Sequence, residues 1–174
     1  TQVGRLTTNQ LIALTTDNVI GLRVEGLSSQ QLLAMDSADI AKLTSTQIQN
    51  LTTSNVVGLT KDQVIALSAN ISFLETADVA SLTSAQVKDI AAAQVANLTT
   101  GQLQALTTSN IVGINLSLVT SALSAIDSAD FAFLNTAAVA SIASENVQYL
   151  TTDQLKALTT DNVIGLRVEG LSSQ

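Results

Sequence analysis

A period of eight residues runs through this chain and restricts its fold more than any other feature. A large apolar residue, usually Leu, opens each octad, and the consensus reads Leu-Thr-Thr-x-Gln/Asn-Val/Ile/Leu-x-Ala/Gly. We number these positions 1 to 8. Tandem units of short, fixed length are typical of solenoids, in which each repeat contacts mainly its neighbours. The period therefore predicts a segment of a solenoid, not an ordinary globular domain.

A longer period contains the octads. The residues from Leu14 to Gln30 recur letter for letter from Leu158 to Gln174, at an offset of 144. Related units opened by Met35, Leu74 and Ile126 divide this super-repeat at spacings of 39 and 52. We expect one continuous solenoid segment over residues 1–174, a 144-residue super-repeat plus 30 residues of the next copy. Its expected sub-repeats cover about 35–73, 74–125 and 126–174.

Each octad carries the signals of a helix start. Thr at position 2 and Gln or Asn at position 5 have the spacing of a capping box, and the apolar residues at positions 1 and 6 have that of a hydrophobic staple. One long helix is excluded because eight residues advance about 800°, so the Leu stripe would spiral. Positions 1 and 6 would point to opposite faces of a strand. The pattern favours an all-α solenoid with one short helix per octad, stabilised by burying positions 1, 6 and 8.

A β-solenoid with two octads per coil is the alternative fold, because Thr and Val favour strands. Irregular segments are expected where the octad step is interrupted, near Leu67–Phe73 and at Leu22–Ala34 and Ile114–Ala125. Glycines end four units with the pattern Asn-Val/Ile-Val/Ile-Gly. We expect them to adopt the left-handed conformation just past a helix end, where the solenoid turns. These glycines are Gly21, Gly58, Gly113 and Gly165.

Composition excludes several classes of function. Fourteen acidic and seven basic residues give a net charge of −7, which disfavours binding to nucleic acid or to anionic membranes. No apolar run approaches the roughly 18 residues of a membrane span, so no membrane insertion is expected. The chain has no Cys and no His and lacks nucleophile-elbow and phosphate-loop motifs. We expect a protein that is not an enzyme and needs no cofactor.

Pairs of acidic residues recur in the units that open the sub-repeats. Spaced by three, each pair could hold a hard cation such as calcium on one helix face. The alternative, which we favour, is that the first acid caps the helix and the second takes the place of Gln at position 5. The pairs are Asp36 with Asp39, Glu75 with Asp78, and Asp127 with Asp130.

Two further features suggest surface contacts. Arg23 and Glu25, with their copies Arg167 and Glu169, lie in the interrupted segments and are candidates for self-association, although a solvated loop explains them as well. Pairs of Thr at positions 2 and 3 would suit an ice-binding array, but the capping role already explains the first of each pair.

Octads such as Leu-Thr-Thr-Asp-Gln-Leu-Lys-Ala (150–157) and Leu-Thr-Ser-Ala-Gln-Val-Lys-Asp (82–89) resemble repeats of very large exported bacterial proteins. Those proteins are described as adhesin-like or haem-utilisation-like. The resemblance covers nearly the whole chain, although its motif is degenerate. It implies extracellular or cell-surface material in which such repeats form extension regions.

Three functions remain open at the level of the sequence. The first is a structural region that forms a filament, sheath or surface layer with further copies of the same repeat. The second is the passive stalk of a giant cell-surface adhesin. The third is a repeat surface that binds ice, a glycan or a cation.

Overall fold

The computed structural model describes residues 2–171, and within them the chain is helical and contains no strand. The α-helices are only four to seven residues long and follow one another in tandem. The all-α solenoid of short helices is thereby confirmed, and the β-solenoid alternative is wrong for this part of the chain. The chain forms two compact segments, Thr1–Leu82 and Thr83–Gln174, which we call the N-terminal and the C-terminal segment.

The N-terminal segment contains eight α-helices and three 3₁₀ helices among its described residues. The α-helices are α1 (Thr8–Ile12), α2 (Thr16–Val19), α3 (Ser29–Leu33), α4 (Ser37–Ile40), α5 (Ser45–Gln49), α6 (Thr53–Val56), α7 (Lys61–Leu67) and α8 (Thr76–Ser81). The 3₁₀ helices are Val3–Arg5, Val24–Gly26 and Ser68–Phe73.

The described part of the C-terminal segment contains six α-helices and five 3₁₀ helices. The α-helices are α9 (Ser84–Asp89), α10 (Ala92–Val95), α11 (Thr100–Gln104), α12 (Ser128–Phe131), α13 (Thr136–Ser141) and α14 (Thr152–Ala157). The 3₁₀ helices are Ile111–Gly113, Ser121–Ala125, Ser144–Tyr149, Val163–Gly165 and Val168–Gly170. Several octads therefore form a tighter 3₁₀ turn where one α-helix per octad was expected.

Three units make one coil in each segment. In the N-terminal segment α3 packs against α6 and α4 against α7, each three units further along the chain. In the C-terminal segment α12 packs in the same way against α14, because α13 and the 3₁₀ helix Ser144–Tyr149 lie between them. Each unit is thus covered by the unit that follows it after three steps.

The interrupted segments take part in this winding as shortened units. The 3₁₀ helix Val24–Gly26 packs against α5, and Ser68–Phe73 also packs against α5 from the other side. Units of five residues (Leu22–Gly26) and seven residues (Leu67–Phe73) therefore each occupy one side of a coil, as an octad does. Val24 and Ile71 are fully buried, which explains how these segments preserve the core despite breaking the octad step.

The predicted caps are present in the octads that have Ser or Thr at position 2 and Gln at position 5, whereas Thr15 makes no side-chain cap on α2. In α7, the Thr60 side chain accepts from the backbone N–H of Gln63 at 3.3 Å, and the Gln63 side chain accepts from the backbone N–H of Thr60 at 2.9 Å. Full boxes of this kind begin α1, α3, α5, α9, α11 and α14 as well. Most of these helices end just before the position-1 residue of the next octad, whose backbone N–H donates to a carbonyl near the helix end. Leu51, for example, donates to the carbonyl of Ile48.

The core consists of positions 1 and 6, as predicted. Leu32, Ile40, Ile48 and Val56 at position 6 are at most 1% exposed. Position 8 was expected to be buried as well, and this was wrong: Ala66, for example, is only half-buried. The buried residue that the pattern did not predict is the polar one at position 5.

The expectation for the glycines was also wrong. No Gly of the described residues has a positive φ, and the one residue that does is Ser68, at 50°. The structural reason for Gly is close packing between coils. A Cβ atom on Gly58 would overlap the backbone of Ser29, including its Cα at 2.9 Å, and one on Gly165 would lie 2.9 Å from the amide nitrogen of Ala140. At Gly58 and Gly165 the absence of a side chain lets one coil rest directly on the backbone of the preceding coil.

Candidate functional site: a buried ladder between coils

The polar side chain at position 5 connects each coil to the preceding one. Gln63 is only 2% exposed. Its Oε1 accepts from the Thr60 N–H that begins its own helix, whereas its Nε2 donates to the carbonyls of Leu32 and Met35 at 2.9 and 2.7 Å. Those two carbonyls belong to the corner just before α4, the helix on which α7 packs. One side chain therefore caps a helix and bonds two coils together.

The same arrangement recurs at the other position-5 amides, which we call amide rungs. Asn55 donates from Nδ2 to the carbonyls of Val24 and Leu27 at 3.0 and 3.4 Å. Gln47 donates to the carbonyls of Val19 and Leu22, Gln154 to those of Leu123 and Ile126, and Asn162 to those of Phe131 and Leu134. In these five rungs the acceptors are a position-6 residue, or its equivalent in a short unit, and the residue that opens the next unit, and Gln31 likewise donates to carbonyls of the first coil.

An amide suits this place because the site needs an acceptor and a donor on one planar group. The oxygen meets a helix N–H, and the NH₂ group meets two carbonyl oxygens. Each bond contributes about 1 kcal/mol net, but a buried carbonyl left without its donor costs about 1–3 kcal/mol. The ladder is therefore a repeated requirement for the stacking of coils.

Acidic residues fill position 5 in the units opened by Met35, Leu74 and Ile126. Asp39, Asp78 and Asp130 are 2%, 2% and 4% exposed, and we call them carboxyl rungs. The Oδ2 atoms of Asp39 and Asp78 have no hydrogen-bond partner among the described residues. A carboxylate has no hydrogen to offer the carbonyls that an amide would reach, so its second oxygen is left unpaired.

Burial changes the titration of these three carboxyl groups. Desolvation, and after it the neighbouring carboxylate of Glu75, raises the pKa of Asp78 to about 6, against a small lowering by the Glu75 backbone N–H. Desolvation, followed by the charge of Asp36, raises the pKa of Asp39, and desolvation followed by Asp127 raises that of Asp130. All three shifts favour the protonated acid.

The first acid of each pair occupies a different environment. Asp36 and Asp127 are exposed helix caps, whose Oδ1 atoms accept from the backbone N–H of Ala38 and of Ala129, each at 2.9 Å. Glu75 is exposed at the start of α8 and makes no side-chain cap. Within residues 2–171 no three His, Cys, Asp or Glu side chains lie close enough together to hold a metal ion.

The four charged candidates for self-association lie on 3₁₀ units and are exposed. Arg23 and Glu25 flank the buried Val24. Arg167 donates from Nε to the carbonyl of Ala140 at 3.4 Å, so its side chain lies against the preceding coil. Glu169 lies on the equivalent copy of the unit.

A column of exposed apolar residues is a feature that the sequence pattern did not single out. Ile12, Leu33 and Val57 are 61%, 55% and 42% exposed and lie at position 7 of α1, α3 and α6. These helices stack on one another, α1 on α3 and α3 on α6. We call these three residues the apolar column. The sequence does repeat Ile, Leu or Val at position 7. These residues can be recognised as neighbours on one surface only when it is known that three units make one coil.

At α13, in the described part of the C-terminal segment, an octad lacks the polar side chain of the ladder. Ala138 takes position 5 of α13 and has no amide, and the backbone N–H of Asn135 donates to the carbonyl of Val112 at 3.0 Å. The space beside it forms an open depression of about 260 Å³ lined in part by Lys88, Gly113 and Ser141. The missing side chain explains the depression.

None of the helices in residues 2–171 has both the length and the hydropathy that a membrane span requires. In a comparison with known families, a model described as ALTTAQ repeat matches residues 32–69, 71–108 and 123–160, more than half of the chain. Each matched stretch begins three residues before one of the units that carry a carboxyl rung. No curated protein and no solved structure matches the chain.

Proposed function

Because the chain belongs to the ALTTAQ repeat family, we propose that it is a non-enzymatic structural region of a secreted bacterial protein. Its repeats form an extracellular filament, sheath or surface layer by tandem stacking and self-association. The observation that carries this proposal is the ladder of amide rungs, which uses buried polar side chains to bond the chain to itself.

The ladder supports open-ended stacking because its donors and acceptors repeat in one register. Gln63 and Asn55 each reach carbonyls 28 and 31 residues earlier in the chain. The same separations recur in the C-terminal segment at Gln154 and Asn162. A further copy of the super-repeat would present the same groups in the same order, so coils can be added without new chemistry.

The apolar column supports lateral contact with a second copy. Three large aliphatic side chains lie in a row on stacked helices, and each is more than 40% exposed. Exposed apolar patches of this kind are typical of interaction surfaces. In the next copy of the super-repeat Lys156 stands where Ile12 does, so only the part of the column formed by Leu33 and Val57 would recur in a repeated array. Its recurrence favours association between parallel arrays because many weak contacts act together.

A passive adhesin stalk is the second candidate, and the charge of the chain favours it. With a net charge of −7, copies of the chain repel one another at low ionic strength. A stalk would use the same ladder to form a rod but would remain monomeric.

Negative-stain electron microscopy of arrays of three or more super-repeats separates the two candidates, with circular dichroism on the same samples. We expect helical spectra and ordered fibres or sheets. Replacing Leu33 and Val57 by Glu in every copy should disperse them without changing the spectrum. The matched control replaces Ala41 and Gln49 by Glu, which adds equal charge at exposed position-7 sites of α4 and α5, and should still assemble. Single thin rods from the unaltered array at high concentration would contradict self-association and leave the stalk.

A further inference from the structure

Asp78 occupies the same place in its coil as Asn55 does in the preceding one. The two residues lie at position 5 of α8 and α6, and α8 packs on α6. Their side chains have the same number of heavy atoms and the same planar shape. Asn55 accepts from the N–H of Thr52 at 2.9 Å, and Asp78 accepts from the backbone N–H of Glu75. One oxygen of Asp78 therefore repeats the capping bond of Asn55.

The second oxygen of Asp78 lies where Asn55 has its NH₂ group. Asn55 uses that group to donate to the carbonyls of Val24 and Leu27. By the three-unit register, the carbonyls of Ile48 and Leu51 stand in the equivalent place for Asp78. An ionised carboxylate would bring three oxygen atoms together with no hydrogen between them. This explains why Oδ2 of Asp78 is buried without a partner, and the same holds for Oδ2 of Asp39.

We propose that Asp39, Asp78 and Asp130 are proton-binding sites that make the stacking of coils sensitive to pH. Each carboxyl group takes one proton from solvent on Oδ2 when the coils are tightly stacked, and the resulting O–H donates to a carbonyl of the preceding coil. In this state a carboxyl rung forms the capping bond and one of the two carbonyl bonds of an amide rung. When the proton is lost, the buried carboxylate repels the carbonyls and the coils separate more easily at that position.

Few charged groups near Asp78 would favour its ionised form over the protonated acid. Its own helix contributes the exposed carboxylate of Glu75, which disfavours a second negative charge. Helix α6, which packs against α8, carries no titratable residue, and neither does the 3₁₀ helix Ser68–Phe73 before it. Within its segment, no cation of these elements is available to stabilise an ionised Asp78.

More charges surround the other two carboxyl rungs, and all of them are exposed. Around Asp39, helix α2 carries Asp17, helix α7 carries Lys61 and Asp62, and α4 itself has Asp36 before it and Lys42 after it. Around Asp130, helix α14 carries Asp153 and Lys156, which face each other at 4.0 Å, and α12 has Asp127 before it. Solvent screens these charges more strongly than it screens a buried group. Asp78 should therefore contribute the largest share of the pH effect.

The spacing of the ladder favours a proton over a metal ion. Asn55 Nδ2 lies 3.0 Å from the carbonyl oxygen of Val24, which is the length of a single hydrogen bond. Calcium requires about 2.3–2.6 Å to each of six to eight oxygens. A calcium ion would therefore have to separate the coils. In addition, the first acid of the pair opened by Asp36 is already engaged, because Asp36 Oδ1 accepts from the backbone N–H of Ala38 at the start of its own helix.

The sign of the pH effect follows from the raised pKa values. Between the ordinary Asp pKa near 3.8 and the value of about 6 for Asp78, the folded chain binds more protons than the unfolded chain. The free energy of unfolding therefore falls as pH rises through this window, and it levels off above about pH 6. The contribution of Asp78 corresponds to roughly a hundredfold in the unfolding equilibrium constant.

Urea unfolding of the 174-residue chain between pH 5.0 and 7.5, followed by circular dichroism, tests the proposal. We expect the midpoint to fall as pH rises in the native chain. The triple variant Asp39→Asn, Asp78→Asn, Asp130→Asn should lose most of this slope and be the more stable protein at pH 7.5. The control Asp17→Asn, Asp62→Asn, Asp153→Asn removes three exposed acids and should retain the slope. An equal slope in the native chain and the triple variant would overturn the proposal.

Two further measurements test the proposal by other means. Carbon-13 carboxyl shifts of the native chain should show Asp78 titrating near pH 6, and a titration near pH 4 would contradict proton binding even if the variants failed to fold. Millimolar calcium at pH 7.5 should leave the urea midpoint unchanged, and a rise seen in the native chain but not in the triple variant would replace the proton by a cation. Because dilute single chains are measured, neither result depends on whether arrays form fibres.

Discussion

The first coil of the N-terminal segment and the coils stacked on it use the same octad differently. Gln10 and Gln63 both occupy position 5, and both accept from the backbone N–H of their capping Thr at 2.9 Å. Gln63 is buried and donates to two carbonyls, whereas Gln10 is exposed and its Nε2 has no partner among the described residues. The octad alone determines the cap, but the rung exists only where a preceding coil supplies carbonyls.

Position 8 shows the same contrast. Gly21 and Gly58 end octads of the same type, Asn-Val-Ile-Gly and Asn-Val-Val-Gly. A Cβ atom on Gly21 would find its nearest neighbour, the carbonyl oxygen of Asn18, at 4.0 Å, whereas one on Gly58 would overlap the backbone of Ser29. Both comparisons indicate that the residues recurring at positions 5 and 8 of the octad contribute more to the stacking of coils than to the individual helix.

Substitution of glycine should give the largest difference between the two regions. We expect Gly58→Ala to destabilise the chain by about 3 kcal/mol, because the new methyl group meets backbone atoms that cannot move without shifting α3. Gly21→Ala should change stability by less than about 0.5 kcal/mol, since its surroundings are open. Urea midpoints measured under one set of conditions decide the matter. Equal losses in the two variants would mean that Gly is needed for the turn and not for the contact between coils.

Removal of the rung should have the next largest effect. Gln63→Ala takes the donor from the carbonyls of Leu32 and Met35, and we expect a loss of about 2 kcal/mol. The matched change Gln10→Ala removes only the capping bond and should cost a few tenths of a kcal/mol, about the value of a weak local contact.

The variant Gln63→Glu separates the two functions of the rung. It keeps the oxygen that accepts from Thr60 but loses the NH₂ donor, so it should be at least as destabilising as Gln63→Ala at neutral pH. Stability equal to that of the native chain would show that the bonds between coils contribute little and that the apolar core alone holds the stack.

The helix starts could be predicted from the sequence because their interactions are local. Thr60 and Gln63 are three residues apart, and a capping box involves no other part of the chain. The same reasoning placed the second acid of each pair, such as Asp39, in the slot used by Gln. The all-α class followed from these local signals.

The ladder could not be predicted because it depends on the number of units in a coil. The octad period does not fix that number, and the shortened unit around Val24 obscures the register by replacing eight residues with five. Without the register, neither the burial of Gln63 nor the clash that excludes a side chain at Gly58 is visible. The alignment of Ile12, Leu33 and Val57 was hidden for the same reason.

Replacement of the capping threonine should give the smallest difference between the regions, and this result decides how the other comparisons are interpreted. Thr7 and Thr60 each accept from the position-5 N–H at 3.3 Å, so both caps have the same geometry. We expect Thr7→Ala and Thr60→Ala each to cost about 1 kcal/mol locally, seen as roughly a fivefold loss of hydrogen-exchange protection at the capped amide.

Equal losses of protection would show that α1 is as well formed as α7. The mild effects expected for Gly21→Ala and Gln10→Ala would then reflect the lack of a preceding coil and not an unfolded chain end. If Thr7→Ala leaves the exchange of the Gln10 amide unchanged because that amide is already unprotected, the first coil is frayed. In that case variants of the first coil cannot serve as controls. Two other substitutions then replace them: Ala66→Ser, at a half-buried site of α7, and Gln49→Ala, at an exposed site of α5.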